Sequence, residues 1–291
     1  MCGLDAQYAQ EARVLRTLHV VTAVWLLIGG IATQAKSTLE QIAEFNVPEA
    51  NQGIGVDARH FYAIDNQAVA KYDKKTGTLV KKWQGPKDGP IRHLDGGLVM
   101  DGKLYAAHSN YPDWPMTSSL EIWDTETMEH IGSHSFGINW GSLTWADFHD
   151  GFWWMTFANY DVPLGPGKTP YGYKAATQMI KFSTDFRMVE SWVLPKAILD
   201  KFEDMSNSGG SWGPDGFLYL TGHDPAELYR MKLPGAGSVL ELVDILSMNV
   251  RGQGIAWDRS DPGVIYGIVR ASGTERAAGG GHKVRVFRLN E

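Results

Sequence analysis

Gly96-Gly97-Leu98-Val99-Met100-Asp101-Gly102-Lys103-Leu104-Tyr105 carries a glycine-led apolar segment through a tight turn into an aromatic-centred strand. The same phrase recurs four more times: Gln52-Gly53-Ile54 leads to Tyr62, Gly141-Ser142-Leu143 to Trp154, Gly209-Gly210-Ser211 to Tyr219, and Gly254-Ile255-Ala256 to Tyr266. A third strand-like run follows each copy, at 70–73, 120–124, 178–182, 227–231 and 284–289. The first four copies continue into a fourth run, at 79–83, 129–136, 187–194 and 239–246. Four strands per unit, repeating every ~40 to 65 residues, is the pattern of radial blades and favours a propeller over a flat β-sandwich.

The fifth unit stops after three strands, because the chain ends just past Val286-Phe287-Arg288-Leu289. The segment 39–47, Leu-Glu-Gln-Ile-Ala-Glu-Phe-Asn-Val, is strand-like and has no partner in its own neighbourhood. It is expected to complete blade five from outside, which removes the exposed edges that an open array would present. The fold class is therefore all-β, a five-bladed β-propeller closed by an N-terminal strand, forming a single domain over 36–291.

Residues 1–35 read differently. Arg13 and Arg16 precede an apolar stretch from Leu18 to Ile28, and small residues follow up to Ala35. This is the layout of a secretory signal peptide, with an uncleaved N-terminal anchor as the alternative. The stretch is short for a membrane span, which needs about 20 apolar residues. Export implies a periplasmic or secreted protein, with a membrane contact only where the segment is retained. Cys2 is the single cysteine, so the processed chain has no thiol nucleophile, thiolate zinc site or disulfide. The formal net charge of -6 comes without a basic stripe and argues against nucleic acid as a partner.

Connections in a propeller alternate between two faces. Turns between first and second strands are short and built from Asp, Gly and Pro, as in Asp101-Gly102-Lys103 and Pro214-Asp215-Gly216. The long excursions, 109–119, 159–177, 195–208 and 271–283, all fall on the other face, which is the expected working face. Residues that start a first strand or end a second strand gather there near the axis. They include Gln52, Asn66, Arg92, Asn110, Tyr111, Asn139, Trp140, Asn159, Tyr160, Ser208, Arg251, Gln253 and Arg270, a polar set suited to binding a substrate.

Three histidines belong to the same set: His93, His108 and His223. Neutral imidazole serves as a general base near neutral pH and as a ligand for a divalent metal, so the trio is a candidate for catalysis or for a three-histidine metal site. Ordinary loop-bridging hydrogen bonds are the alternative for each. Asp224 follows His223 and could orient it. No Gly-x-Ser-x-Gly elbow, phosphate-cradling loop or His-Glu-x-x-His pair is present.

The blade motifs Gln52-Gly53-Ile54, Tyr72-Asp73-Lys74-Lys75-Thr76-Gly77, Trp140-Gly141-Ser142-Leu143-Thr144 and Gly254-Ile255-Ala256-Trp257-Asp258 resemble those of the five-bladed glutamine cyclotransferases, the plant and bacterial type of glutaminyl cyclase. The resemblance covers most of the chain beyond Leu39, chiefly through scaffold positions. It implies a glutamate where this chain has Ile64-Asp65-Asn66, a tryptophan where it has His108, and a lysine-bearing loop where it has Val269-Arg270-Ala271. Those departures point away from cyclisation of peptide N termini. The runs Phe45-Asn46-Val47-Pro48-Glu49, His108-Ser109-Asn110-Tyr111-Pro112 and Asn207-Ser208-Gly209-Gly210 are similar to bacterial sequences labelled "cycloisomerase". The expectation is an extracytoplasmic enzyme of cyclase, isomerase or lyase type acting on a small polar, carboxylate-bearing substrate. A non-catalytic propeller that binds a ligand or protein through the same loops is the alternative.

Overall fold

The computed structural model describes residues 37–163, 170–251 and 253–290. The segment 1–35, read above as a signal peptide or anchor, lies outside the described residues. Among the described residues no helix is long and apolar enough to cross a membrane.

Five four-stranded antiparallel sheets form the blades. Blade one comprises Gly53–Val56, His60–Asp65, Ala68–Asp73 and Leu79–Gln84. Blade two comprises His93–Met100, Lys103–Ser109, Ser118–Asp124 and His130–Gly137. Blade three uses Ser142–His149, Phe152–Ala158, Gln178–Phe182 and Met188–Val193. Blade four uses Asn207–Trp212, Leu218–Gly222, Glu227–Lys232 and Glu241–Ser247. Blade five runs Ile255–Trp257, Val264–Val269 and Lys283–Asn290, and its outer strand is the N-terminal Thr38–Asn46. The closing strand pairs Leu39 with Leu289 and Phe45 with Val284. Glu44 fastens it further, accepting hydrogen bonds from Lys283 Nζ and Arg285 Nε.

Each seam between neighbouring blades holds its own apolar core, as the aromatic content of the repeats requires. Phe61, Tyr72 and Tyr266 pack between blades one and five, and Tyr62, Leu104 and Trp123 between one and two. Leu120, Trp153 and Phe157 fill the next seam, Trp145, Trp154 and Trp212 the one after, and Tyr219, Leu228 and Trp257 the last. Trp123, Trp192 and Trp257 are buried core residues, and Trp83 packs edge-on against Trp123. The short turns are tied to the strands they serve: the Tyr62 hydroxyl donates to Asp57, and that of Tyr219 to Asp215.

First strands meet around the axis at backbone distance. A Cβ added at Gly53 would stand 2.2 Å from the carbonyl oxygen of Asp95, and one at Gly254 would stand 2.5 Å from the Cα of Gly53. Across the same gap the Gly254 amide donates to the Gln52 carbonyl at 2.9 Å. No other residue type fits there without moving backbone.

The long-loop face carries most of the added structure. A small hairpin, Tyr160–Pro163 with Pro170–Tyr171, rises from blade three. A helical turn, Lys196–Leu199, leads towards blade four. The 271–283 loop contains the helix Gly273–Ala277, started by a capping box between Ser272 and Glu275.

Replacing Gly53 with Ala is expected to cost about 3 kcal/mol or more, since the neighbour it strikes is backbone. At Gly102, in an open turn with φ of 73° and nothing within 4 Å of an added Cβ, the same change should cost only about 1 kcal/mol. Urea denaturation of the two variants measures the contrast.

Candidate functional site

At the long-loop end of the axis the first strands open into a cavity of about 260 Å³. Eight of the residues expected at the working face line it: Gln52, His93, Tyr111, Tyr160, Ser208, His223, Gln253 and Arg270. Asp95, Thr144 and Met205 join them. A second, more open groove leads off past Gln52, His93 and Tyr111, and contains Asn66, Arg92 and Lys87.

Arg270 leaves the end of blade five's second strand and crosses to blade one. Its Nε donates to the Asn51 carbonyl at 3.0 Å and one terminal nitrogen donates to Gln52 Oε1 at 2.7 Å. Gln52 is braced in turn, its Nε2 donating to Asn66 Oδ1 at 2.8 Å. The other terminal nitrogen of Arg270 lies 3.5 Å from His223 Nε2. Burial lowers the Arg270 pKa, opposed by the negative charges of Asp95, Asp224 and Asp65. An arginine nonetheless keeps its charge in proteins, so the cavity holds a fixed cation.

His223 Nδ1 sits 2.8 Å from Asp224 Oδ2. With the carboxylate as acceptor the neutral ring carries its proton on Nδ1, which turns the Nε2 lone pair towards Arg270.

Asp95 occupies the floor and is 3% exposed. Burial pushes its carboxyl above the usual range, opposed by the hydrogen bond and charge of His93 and by the charges of Arg270 and His223. His93 Nε2 stands 3.4 Å from Asp95 Oδ2, and the His93 ring tilts against Tyr111 with centroids 5.1 Å apart. Burial likewise raises the phenol pKa of Tyr111 and, helped by the Asp95 charge, that of Tyr160. Gln253 is 2% exposed, adopts φ of 95°, and its Nε2 has no hydrogen-bond partner. A glutamine held in a conformation that costs energy, with an amide end unused, is the kind of outlier that accompanies a site.

The remaining candidates are placed elsewhere. His108 does not reach the cavity: its Nε2 accepts from the Arg92 amide at 3.0 Å, and its Nδ1 meets Ser119 Oγ at 2.8 Å, which donates to Glu121. With both ring nitrogens engaged inside blade two, it braces the loop rather than reacting. The expected convergence of His93, His108 and His223 on one metal is corrected accordingly. Among the described residues no group of three or more His, Cys, Asp or Glu side chains is arranged to hold a metal ion.

Asn110 is consumed by its own loop, bonding the Pro115 carbonyl and the Thr117 amide. Asn159 ties the carbonyls of Trp140 and Ala176. Trp140 packs on Phe157 and Phe182 in the seam of blade three, and Asn139 is exposed. Arg251 pairs with Glu275 on the outside, and Arg92 stays half-exposed in the groove, 3.8 Å from Asp113.

Of the residues the sequence reading missed, Asp95 had a usable signal. It lies two positions after His93 in one strand, and strand periodicity puts both side chains on the same face. Thr144 occupies a comparable place in blade three. Met205 sits in a loop and offered none.

No protein-family model and no curated protein matches this chain. Among solved structures, a glutaminyl cyclase from Myxococcus xanthus superposes with a TM-score of 0.54 at 11% identity, covering 87% of this chain and 97% of its own. A luciferin-regenerating enzyme superposes with a TM-score of 0.52 at 10% identity, covering 88% of this chain and 96% of its own. The likeness is one of fold, and agrees with the propeller read from the repeats.

Two titrations check this electrostatic picture. Asp95 has a raised folded pKa, so the stability it contributes is complete below the unfolded value near 3.9 and declines as pH rises through the folded value. Asp95→Asn should therefore raise the thermal midpoint at pH 7, with the gain vanishing towards pH 4. His108 is the opposite case, lowered by burial to about 4. Its contribution is present above the unfolded pKa near 6.5 and is lost as pH falls towards 4, by roughly 3 kcal/mol at most. His108→Gln should flatten that acid limb in pH-dependent urea melts.

Proposed function

We propose that this propeller is an extracytoplasmic enzyme of cyclase, isomerase or lyase type, acting by proton transfer on a small carboxylate-bearing substrate in the central cavity. The observation that carries the reading is the buried Asp95 carboxyl, raised in pKa, beside His93 in the same cavity as the anchored cation Arg270. Gln52 and Asn51 occupy the rest of the guanidinium and leave one terminal nitrogen, beside His223, for a substrate carboxylate.

Asp95 then lies within the cavity where a bound substrate presents its reacting carbon or heteroatom. A carboxyl group whose pKa is raised by burial suits general acid–base catalysis. As the base, Asp95 takes a proton from one position of the substrate; as the acid, it returns that proton to another. His93 stands at the boundary between cavity and groove, where it can exchange the proton with solvent. Tyr160 and Gln253 offer hydrogen-bond donors to an oxyanion that develops on the substrate. Export through segment 1–35 accords with a processed chain whose single cysteine, Cys2, is removed.

A thermal-shift screen of small carboxylates, followed by NMR of each stabilising compound in D2O, tests the proposal. The expected result is deuterium entering the bound compound with the wild-type protein. Asp95→Asn should retain binding and lose exchange by roughly 100-fold or more, while Arg270→Gln should lose the thermal shift. Binding that never leads to exchange or turnover would sink the enzyme reading and leave a carboxylate-binding propeller.

A further inference from the structure

The cavity has two unlike sides, and their positions follow from blade order. First strands contact one another in the sequence one, two, three, four, five and back to one. In a ring of five, the blade opposite the seam between five and one is blade three. That seam holds the Arg270–Gln52 clasp. Facing it, Tyr160 from blade three, Tyr111 from the loop of blade two and Met205 from the loop entering blade four form one apolar cluster.

Met116, Ala158 and Val162 belong to the same cluster, so the wall is continuous rather than three separate contacts. The rings of Tyr111 and Tyr160 meet edge-on at 5.3 Å, and Tyr111 also lies against His93. A ligand held by Arg270 therefore directs its other end onto aromatic rings and a thioether, in a space of about 260 Å³. Such walls gain most from a flat ring, which can take offset or edge-to-face positions on tyrosine and sulfur contacts on methionine.

We infer that the substrate is a carboxylic acid on an aromatic or conjugated ring, its carboxylate at Arg270 and its ring against Tyr111, Tyr160 and Met205. This rests on the reading of Arg270 as the carboxylate anchor. It adds the chemical class of the body, which charge alone does not specify. A short aliphatic acid would leave the ring faces of Tyr111 and Tyr160 and the Met205 thioether uncovered.

The test is isothermal titration calorimetry of the full chain with acetate, glycolate, cyclohexanecarboxylate and benzoate. Benzoate should bind roughly tenfold or more tighter than acetate, from burial of the ring, and also tighter than cyclohexanecarboxylate. Met205→Gln should reduce benzoate affinity several-fold and leave acetate unchanged, and the wild-type series stands by itself should that variant fold poorly. Acetate or glycolate binding as tightly as benzoate overturns the inference, and so does parity between benzoate and cyclohexanecarboxylate, since the ring then counts for nothing. Those failures leave the anchor intact. Absence of binding by all four acids, or binding unaffected by Arg270→Gln, removes the anchor itself and the proposed function with it.

Discussion

Everything in this molecule depends on how closely five backbones can approach a common axis. At Gly53 and Gly254 the first strands of blades one and five come so near that the gap left for a side chain is smaller than a methyl group. A hydrogen bond from the Gly254 amide to the Gln52 carbonyl crosses the same gap. Because these positions lack side chains, the residues just before them are drawn into the centre. Gln52 precedes Gly53, Gln253 precedes Gly254, and Asp95 precedes Gly96 and Gly97. Close packing and the polar cavity are thus two results of one constraint: glycine narrows the axis, and its neighbour decorates the mouth.

That arrangement sets stability against function. An ionised carboxyl at Asp95 loses hydration on burial, and nearby cations offset only part of the loss. Gln253 holds a backbone conformation better suited to glycine and leaves an amide nitrogen unpaired. A structural ring would have no use for either feature, since an apolar plug would pack the axis more favourably. The scaffold tolerates them because the apolar seams and the closing strand at Thr38–Asn46 lie outside the centre, where ordinary packing is undisturbed.

The scaffold was legible because its causes are local. Repeated Gly-apolar-turn-aromatic phrases mark strand after strand, and a blade short of one strand must find it elsewhere, which leads directly to segment 39–47. The site was legible by halves. Strand ends brought Gln52, His93, His223 and Arg270 into the lining of one cavity, since blade geometry gathers such positions whatever the loops do. The same rule misplaced His108, whose side chain turns into blade two to meet Ser119 and Glu121. At a strand end, which face a side chain takes depends on pleat and bulges, and a register shift between Leu94 and Gly97 alters that count here. Asn110 and Asn159 illustrate a different limit: loops consume polar side chains for their own backbone, and sequence does not show the demand.

The two ends of the axis differ in how their charges are matched. On the short-turn side, Arg259 of blade five reaches the buried Asp147 of blade three, which also accepts from Ser211 and the Trp212 amide of blade four. Lys74 of blade one pairs with Asp258 of blade five. These bridges join four blades with complementary charge, and the space left along the axis there is only about 10 Å³, too little for a ligand. On the long-loop side, Arg270 also crosses between blades, but it uses neutral partners, Gln52 and the Asn51 carbonyl, and keeps its charge uncancelled by any direct ion pair among the described residues. At one end the guanidinium is matched by a carboxylate, and at the other a guanidinium hydrogen-bonded only to amides is left with charge to offer. The difference in partner, more than the difference in loop length, makes the long-loop end the one suited to an anion.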